Sequence, residues 1–155
     1  MGQLSTLPVV VLDDRYNVWG MPAYESKGAA GIDLRACIDE TLTLGWEKVK
    51  LHLGIAAAIP QGHMGILVPR SSTGSKGLEL VNTMGVIDSD YRGEIVAWVR
   101  NKYPEHPLEI QPGDRIVQLI IIPVTTFASI TYKSSFDPSE DTVRGAGGFG
   151  STGES

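Results

Sequence analysis

Apolar and polar positions alternate in short runs along this chain, and no window of about eleven residues keeps an apolar period near 3.6. Runs rich in β-branched and apolar residues occupy 9–12, 49–59, 64–68, 94–99 and 116–124, the composition expected of strands. Turn chemistry separates them at Ile59-Pro60-Gln61-Gly62, Asp88-Ser89-Asp90 and Gln111-Pro112-Gly113-Asp114. The run 94–99 is apolar almost throughout, which predicts a strand buried on both faces. Residues 85–93 read as a β-hairpin: an apolar strand, a turn bearing two carboxylates and a glycine-bounded return. The best helical candidate is one or two turns around 72–76. Strand spacing of roughly 8–12 residues predicts an all-β sandwich or jelly roll.

The C-terminal segment breaks this pattern. From Lys133 onward the large apolar residues are Phe136, Val143 and Phe149, and 144–153 holds five glycines. Such a segment cannot build a core and is expected to be mobile. The organisation predicted is a single domain over 1–143 followed by a flexible segment, 144–155.

Composition narrows the class. With 155 residues, 42% hydrophobic and 20% charged, the chain fits one globular domain that folds without a disulfide or structural metal. The single Cys37 fits a reducing compartment, and neither a secretory signal nor a membrane-length apolar run is visible, so a cytoplasmic or other intracellular protein is expected. A net charge of −5 argues against a broad nucleic-acid-binding surface. A polyanionic small ligand would then need its own cluster of cations or a metal ion. Glycine is in excess, at 18 residues against an average share of about 7%.

Several motifs carry candidate chemistry. Gly145-Ala-Gly147-Gly-Phe-Gly150 matches G-x-G-x-x-G in letters, but no strand leads in and no helix follows, so a dinucleotide fold is rejected. Its backbone N–H groups can still cradle phosphate, with Arg144, Ser151 and Thr152 as further donors and Phe149 as a stacking face. Pro69-Arg70-Ser71-Ser72 places a guanidinium beside two hydroxyls at a strand end, a fit for phosphate or for an ordinary surface ion pair. Asp88 and Asp90 either serve their own turn or, beside a phosphate, act as a general base on water. His52, His63 and His106 lie too far apart for a zinc motif.

Taken in order, Ala30-Gly-Ile-Asp-Leu-Arg-Ala36, Pro69-Arg-Ser-Ser72, Gly85-Val-Ile-Asp-Ser-Asp-Tyr-Arg-Gly93, Gly113-Asp-Arg-Ile-Val-Gln118 and Arg144-Gly-Ala-Gly-Gly-Phe-Gly-Ser-Thr-Gly153 resemble the five ordered motifs of the trimeric dUTP diphosphatases (dUTPases). The resemblance implies a distorted jelly-roll β-barrel with at most one short helix and a Gly-rich C-terminal tail. It implies a homotrimer whose three active sites are shared between chains, and Mg²⁺-dependent hydrolysis of dUTP to dUMP and pyrophosphate. That activity would keep uracil out of DNA and supply dUMP for thymidylate synthesis. By the same resemblance Asp88 activates a water for attack on the α-phosphorus. Tyr91 packs against the deoxyribose and leaves no room for a 2′-hydroxyl. Asn82 and the backbone of Gly85, Val86 and Ile87 read the uracil edge. Arg70, Ser71, Ser72 and Gln118 hold phosphate oxygens. No protein atom ligates the metal directly, and Asp33 sits near its waters. Phe149 stacks on the base, while Arg144, Gly150, Ser151 and Thr152 close over the nucleotide. Two alternatives remain: a dCTP deaminase-like enzyme of the same fold, and a regulatory or interaction module built on it.

Overall fold

The computed structural model describes residues 6–143, 145 and 146. Backbone proximity divides the chain into two compact units, Met1–Thr125 and Thr126–Ser155. Among its described residues the first unit holds eleven strands: β1 (Val9–Val11), β2 (Ile32–Arg35), β3 (Leu42–Leu44), β4 (Val49–His52), β5 (Ile55–Ala57), β6 (His63–Pro69), β7 (Leu78–Leu80), β8 (Gly85–Ile87), β9 (Val96–Asn101), β10 (Leu108–Ile110) and β11 (Arg115–Pro123). Two four-residue helices interrupt them, α1 (Tyr16–Trp19) and α2 (Ser71–Gly74). The all-β expectation holds, with two short helices where at most one was expected. Helix α1 is too short to show a period; its only sequence mark is Gly20, which ends it at φ 89° with its N–H on Tyr16 O.

All strand pairs are antiparallel. They form four sheets, ordered β1-β5, β10-β3, β2-β11-β6-β8 and β4-β9-β7, and among the described residues no ladder closes on itself. Strand β11 is the spine of the largest sheet, pairing with β2 on one side and along seven residues of β6 on the other. Leu34, Leu67, Ala97, Val99, Ile116 and Leu119 bury their side chains completely or nearly so between the sheets. Each large aliphatic side chain among them contributes about 1.5–3 kcal/mol by leaving water.

Three expectations are corrected. The run 49–59 is two strands, because the chain turns at Gly54 with φ 63°. A Cβ at Gly54 would lie 2.7 Å from Asp13 Cβ and from Cys37 Sγ, so only glycine makes this turn against α1's approach. Strand β9 is not buried on both faces. Ala97, Val99 and Asn101 point inward while Trp98 is 44% exposed, because the chain supplies a cover for only one side of the β4-β9-β7 sheet. Nor do residues 85–93 form a hairpin. Strand β8 pairs with β6, whereas β9 pairs with β4 and β7, so 88–95 crosses from one sheet to another.

In the second unit the described residues are exposed throughout. Its local order is a 3₁₀ turn, Pro138–Glu140, capped by Asp137 in a capping box, with Lys133 bridging Asp137 at 2.5 Å and Glu140 at 3.0 Å. These contacts raise the Lys133 pKa and, with the Asp137 N–H, lower that of Glu140. Phe127, Ile130, Tyr132 and Phe136 are each more than 70% exposed.

Candidate active site

Sheet register assembles one group of candidate residues around β11. Gln118 stands opposite Asp33 of β2 and Val68 of β6, and the neighbouring Val117 stands opposite Pro69. The exit from β6 therefore delivers Arg70 beside Asp33, with Arg70 Nε 2.9 Å from Asp33 Oδ2. Arg115 Nη1 lies 3.5 Å from the same oxygen and also pairs with Glu25. Asp33 is a buried carboxylate, yet no N–H is aimed at Oδ2 with hydrogen-bonding geometry, so the attraction there is Coulombic. The Arg115 hydrogen bond holds the Glu25 carboxyl below its ordinary range.

Two contacts fix the chain that follows. Arg70 Nη1 donates to Arg115 O at 3.2 Å, and Thr73 Oγ1 donates to Ile116 O at 2.6 Å, tying α2 to β11. Ser71 and Ser72 stand exposed on the first turn of α2. Beside them lies a cleft of ≈ 300 Å³ lined by Arg35, Arg70, Lys76 and Arg115, with Glu109 and Asp114 as the opposing charges. Arg35 and Lys76 are basic groups for which the motif pattern assigned no role; their placement depends on register, which the sequence does not display.

A second group gathers on β8 and its flanks. Gly85, Val86 and Ile87 lie opposite Leu67, Ile66 and Gly65 of β6, with Val86 exposed on the outer edge of the sheet. Asn82 precedes them in a tight turn whose Met84 N–H reaches Asn82 O at 2.7 Å. The central residue, Thr83, has φ 68°, a left-handed conformation that costs a non-glycine residue about 1–2 kcal/mol. Such strain survives where surrounding structure imposes it, commonly at functional sites. Asp88 and Tyr91 follow β8, both exposed, with the Tyr91 N–H on Asp88 O at 3.1 Å.

Strand β8 runs antiparallel to β6, so Gly85 and the Asn82 turn lie toward the end of β6 that delivers Arg70, whereas Asp88 and Tyr91 lie toward its start. Ile87 pairs with Gly65, which sets Asp88 near the start of β6, while Arg70 follows its end. Six residues of strand separate those points, about 20 Å. Asp33, Arg70, Ser71, Ser72 and Gln118 are thus brought together, with Asn82 and Gly85 toward the same end of β6, while Asp88 and Tyr91 lie toward its other end. Arg144, Phe149, Gly150, Ser151 and Thr152 lie outside the described residues.

Among the described residues no group of three or more His, Cys, Asp or Glu side chains could cage a metal ion. No helix among them is long and apolar enough to cross a membrane. A family model described as dUTPase matches residues 17–153. The chain belongs to the dUTPase family. It is 42% identical over 151 residues to the deoxyuridine 5′-triphosphate nucleotidohydrolase of Coxiella burnetii (strain Dugway 5J108-111), covering 93% of this chain and 94% of that one. It is 46% identical over 138 residues to the protein of the same name from Desulfitobacterium hafniense (strain DSM 10664 / DCB-2), covering 87% and 88%. Among solved structures, the dUTPase of Staphylococcus bacteriophage 80alpha with dUpNHpp superposes with a TM-score of 0.83 at 28% identity, over 97% of this chain and all of that one. The jelly-roll fold of the dUTPase family accounts for the sheet order described above.

Proposed function

We propose that the chain is a dUTP diphosphatase that hydrolyses dUTP to dUMP and pyrophosphate in sites shared between the chains of a homotrimer. The observation carrying the shared site is the separation along β6. Asp88 would act at the α-phosphorus and Arg70 on oxygens of the same short phosphate chain, and a separation of about 20 Å along the strand argues against both serving one nucleotide from the same chain. Asp88 and Tyr91 of one chain set beside Asp33, Arg70 and Gln118 of another would complete it. The uncovered face at Trp98 and the exposed Phe127, Ile130, Tyr132 and Phe136 are apolar surface that further copies of the chain would cover.

In this reading Asn82 and the β8 backbone take the uracil edge. Cytosine, with its hydrogen-bond pattern reversed, leaves groups unpaired there. Tyr91 packs against the deoxyribose. Arg70, Ser71, Ser72 and Gln118 hold phosphate oxygens, and Asp88 removes a proton from the attacking water. Residues 1–143 act as the catalytic domain and 144–155 as a lid, with Arg144, Gly150, Ser151 and Thr152 on the triphosphate and Phe149 on the base.

The residues present fit Mg²⁺. This ion takes substrate phosphates, waters and one or two carboxylates rather than an all-protein cage. Asp33 Oδ2, buried and without a hydrogen bond, is the atom that would hold its waters. When bound, Mg²⁺ neutralises charge on the phosphate chain and the leaving pyrophosphate. Pyrophosphate release from each of dUTP, dCTP, dTTP and UTP, with and without Mg²⁺, tests the reading. Selective, Mg²⁺-dependent turnover of dUTP is expected; ammonia release from dCTP would overturn it in favour of a deaminase.

A further inference from the structure

Tyr91 is 43% exposed, and an exposed ring samples several rotamers unless something holds it. Here two features hold it. The Tyr91 hydroxyl donates to the backbone carbonyl of Glu94 at 2.9 Å. The ring also lies over Gly93, where a Cβ would stand 2.7 Å from Tyr91 Cζ, so a side chain at 93 would displace the ring.

The accepting carbonyl is itself anchored. Ile95 is 1% exposed, and its N–H donates to Ile55 O at 2.8 Å, so the chain immediately after Glu94 cannot move freely. The Glu94 carboxylate is clamped at both oxygens: Oε1 accepts the Gly54 N–H at 3.0 Å and Oε2 lies 2.7 Å from His52 Nδ1. This carboxylate belongs to none of the roles assigned above. It connects the turn at Gly54, which joins β4 to β5, to the aromatic ring proposed to face the sugar.

We infer that Glu94 and Gly93 are positioning residues for sugar selection, holding the Tyr91 ring where it excludes a ribose 2′-hydroxyl. The inference rests on the proposed sugar contact of Tyr91. Loss of the clamp removes one of the two anchors on this carbonyl and loosens the ring; a methyl group at 93 pushes the ring from its seat. Either change opens space for the extra hydroxyl while leaving the groups on phosphate and base in place. Gln at 94 preserves the clamp, since its amide oxygen accepts from Gly54 N–H and its NH₂ stands within reach of His52 Nδ1.

The test is the ratio of kcat/KM for dUTP to that for UTP in the assembled full-length enzyme, with Tm measured alongside. Gly93→Ala is expected to lower the ratio about tenfold and Glu94→Ala about fivefold, while Glu94→Gln stays within about a factor of two of the unaltered chain. Recovery by Gln separates positioning from a general loss of stability. Ratios unchanged in Gly93→Ala and Glu94→Ala, with a lowered ratio in Tyr91→Ala, would overturn the inference and leave the sugar contact standing. An unchanged ratio in Tyr91→Ala would overturn both.

Discussion

The two ends of β6 are built on opposite principles. At its C-terminal end, Asp33 is buried between Arg70 and Arg115, and α2 is tied to β11 by Thr73. At its N-terminal end, Asp88 and Tyr91 are exposed, and their positions are set by backbone contacts. One end holds oriented cations in advance, which in the proposed reaction would meet a triphosphate. The other offers an exposed carboxylate and an aromatic ring on a segment passing between sheets. A phosphate cluster must resist repulsion from the rest of an acidic chain, whereas a hydrolytic base must remain open to water and to a neighbouring subunit. The contrast makes different variants fail in different ways.

The largest effect belongs to the exposed end and should appear in rate alone. Asp88→Asn is expected to lower kcat by about 10²–10⁴-fold with Tm and nucleotide Kd nearly unchanged, as for loss of a general base. A kcat within a few-fold of the unaltered enzyme would remove Asp88 from that role. The buried end should instead answer in stability. Arg70→Ala leaves the Asp33 carboxylate buried with only Arg115 near it, at an expected cost of about 2–3 kcal/mol in chemical denaturation. Tyr91→Ala, at a half-open position, should cost less than about 1 kcal/mol. Similar losses from the two would erase the contrast.

A smaller effect comes from an ion pair outside both ends. Asp13 accepts from Arg15 Nε at 2.9 Å and Nη2 at 2.5 Å, which holds its carboxyl well down, at about 2. Because the folded value lies below the unfolded one, this stabilisation is present above about pH 4 and is lost as pH falls towards 2. With Arg15 partly in water, the pair contributes about 1 kcal/mol. Asp13→Asn should flatten stability against pH over that window and leave the kinetics at neutral pH unchanged. A change in kcat/KM there would show that charge far from β6 reaches the site.

Much of this arrangement was legible in the sequence because the chemistry is local. Pro69-Arg70-Ser71-Ser72 leaving an apolar strand, and a carboxylate turn after Gly85-Val86-Ile87, are written in consecutive residues. Strands β6 and β11 were visible from their composition for the same reason. Pairing was not visible. The hairpin expected at 85–93 fails because β8 finds β6 and β9 finds β4 and β7, choices made by burial across the core rather than by the turn. Trp98 was assigned to a covered face because an apolar run does not reveal whether its own chain supplies the cover. The clamp on Glu94 joins residues 40 or more apart, and Arg35 reaches the Arg70 cleft from a distant strand, so no local pattern announces either.

Subunit mixing tests the shared site. Asp88→Asn disables one set of residues, and Arg70→Gln removes phosphate charge from the other while keeping a donor beside Asp33; each variant alone should be nearly inactive. Refolded together at equal amounts, random assembly places an intact Asp88 of one chain beside an intact Arg70 of another in about one quarter of sites, and dUTP hydrolysis should return to about that fraction of the unaltered enzyme. Mixed assemblies no more active than the separate variants would contradict a site built between chains.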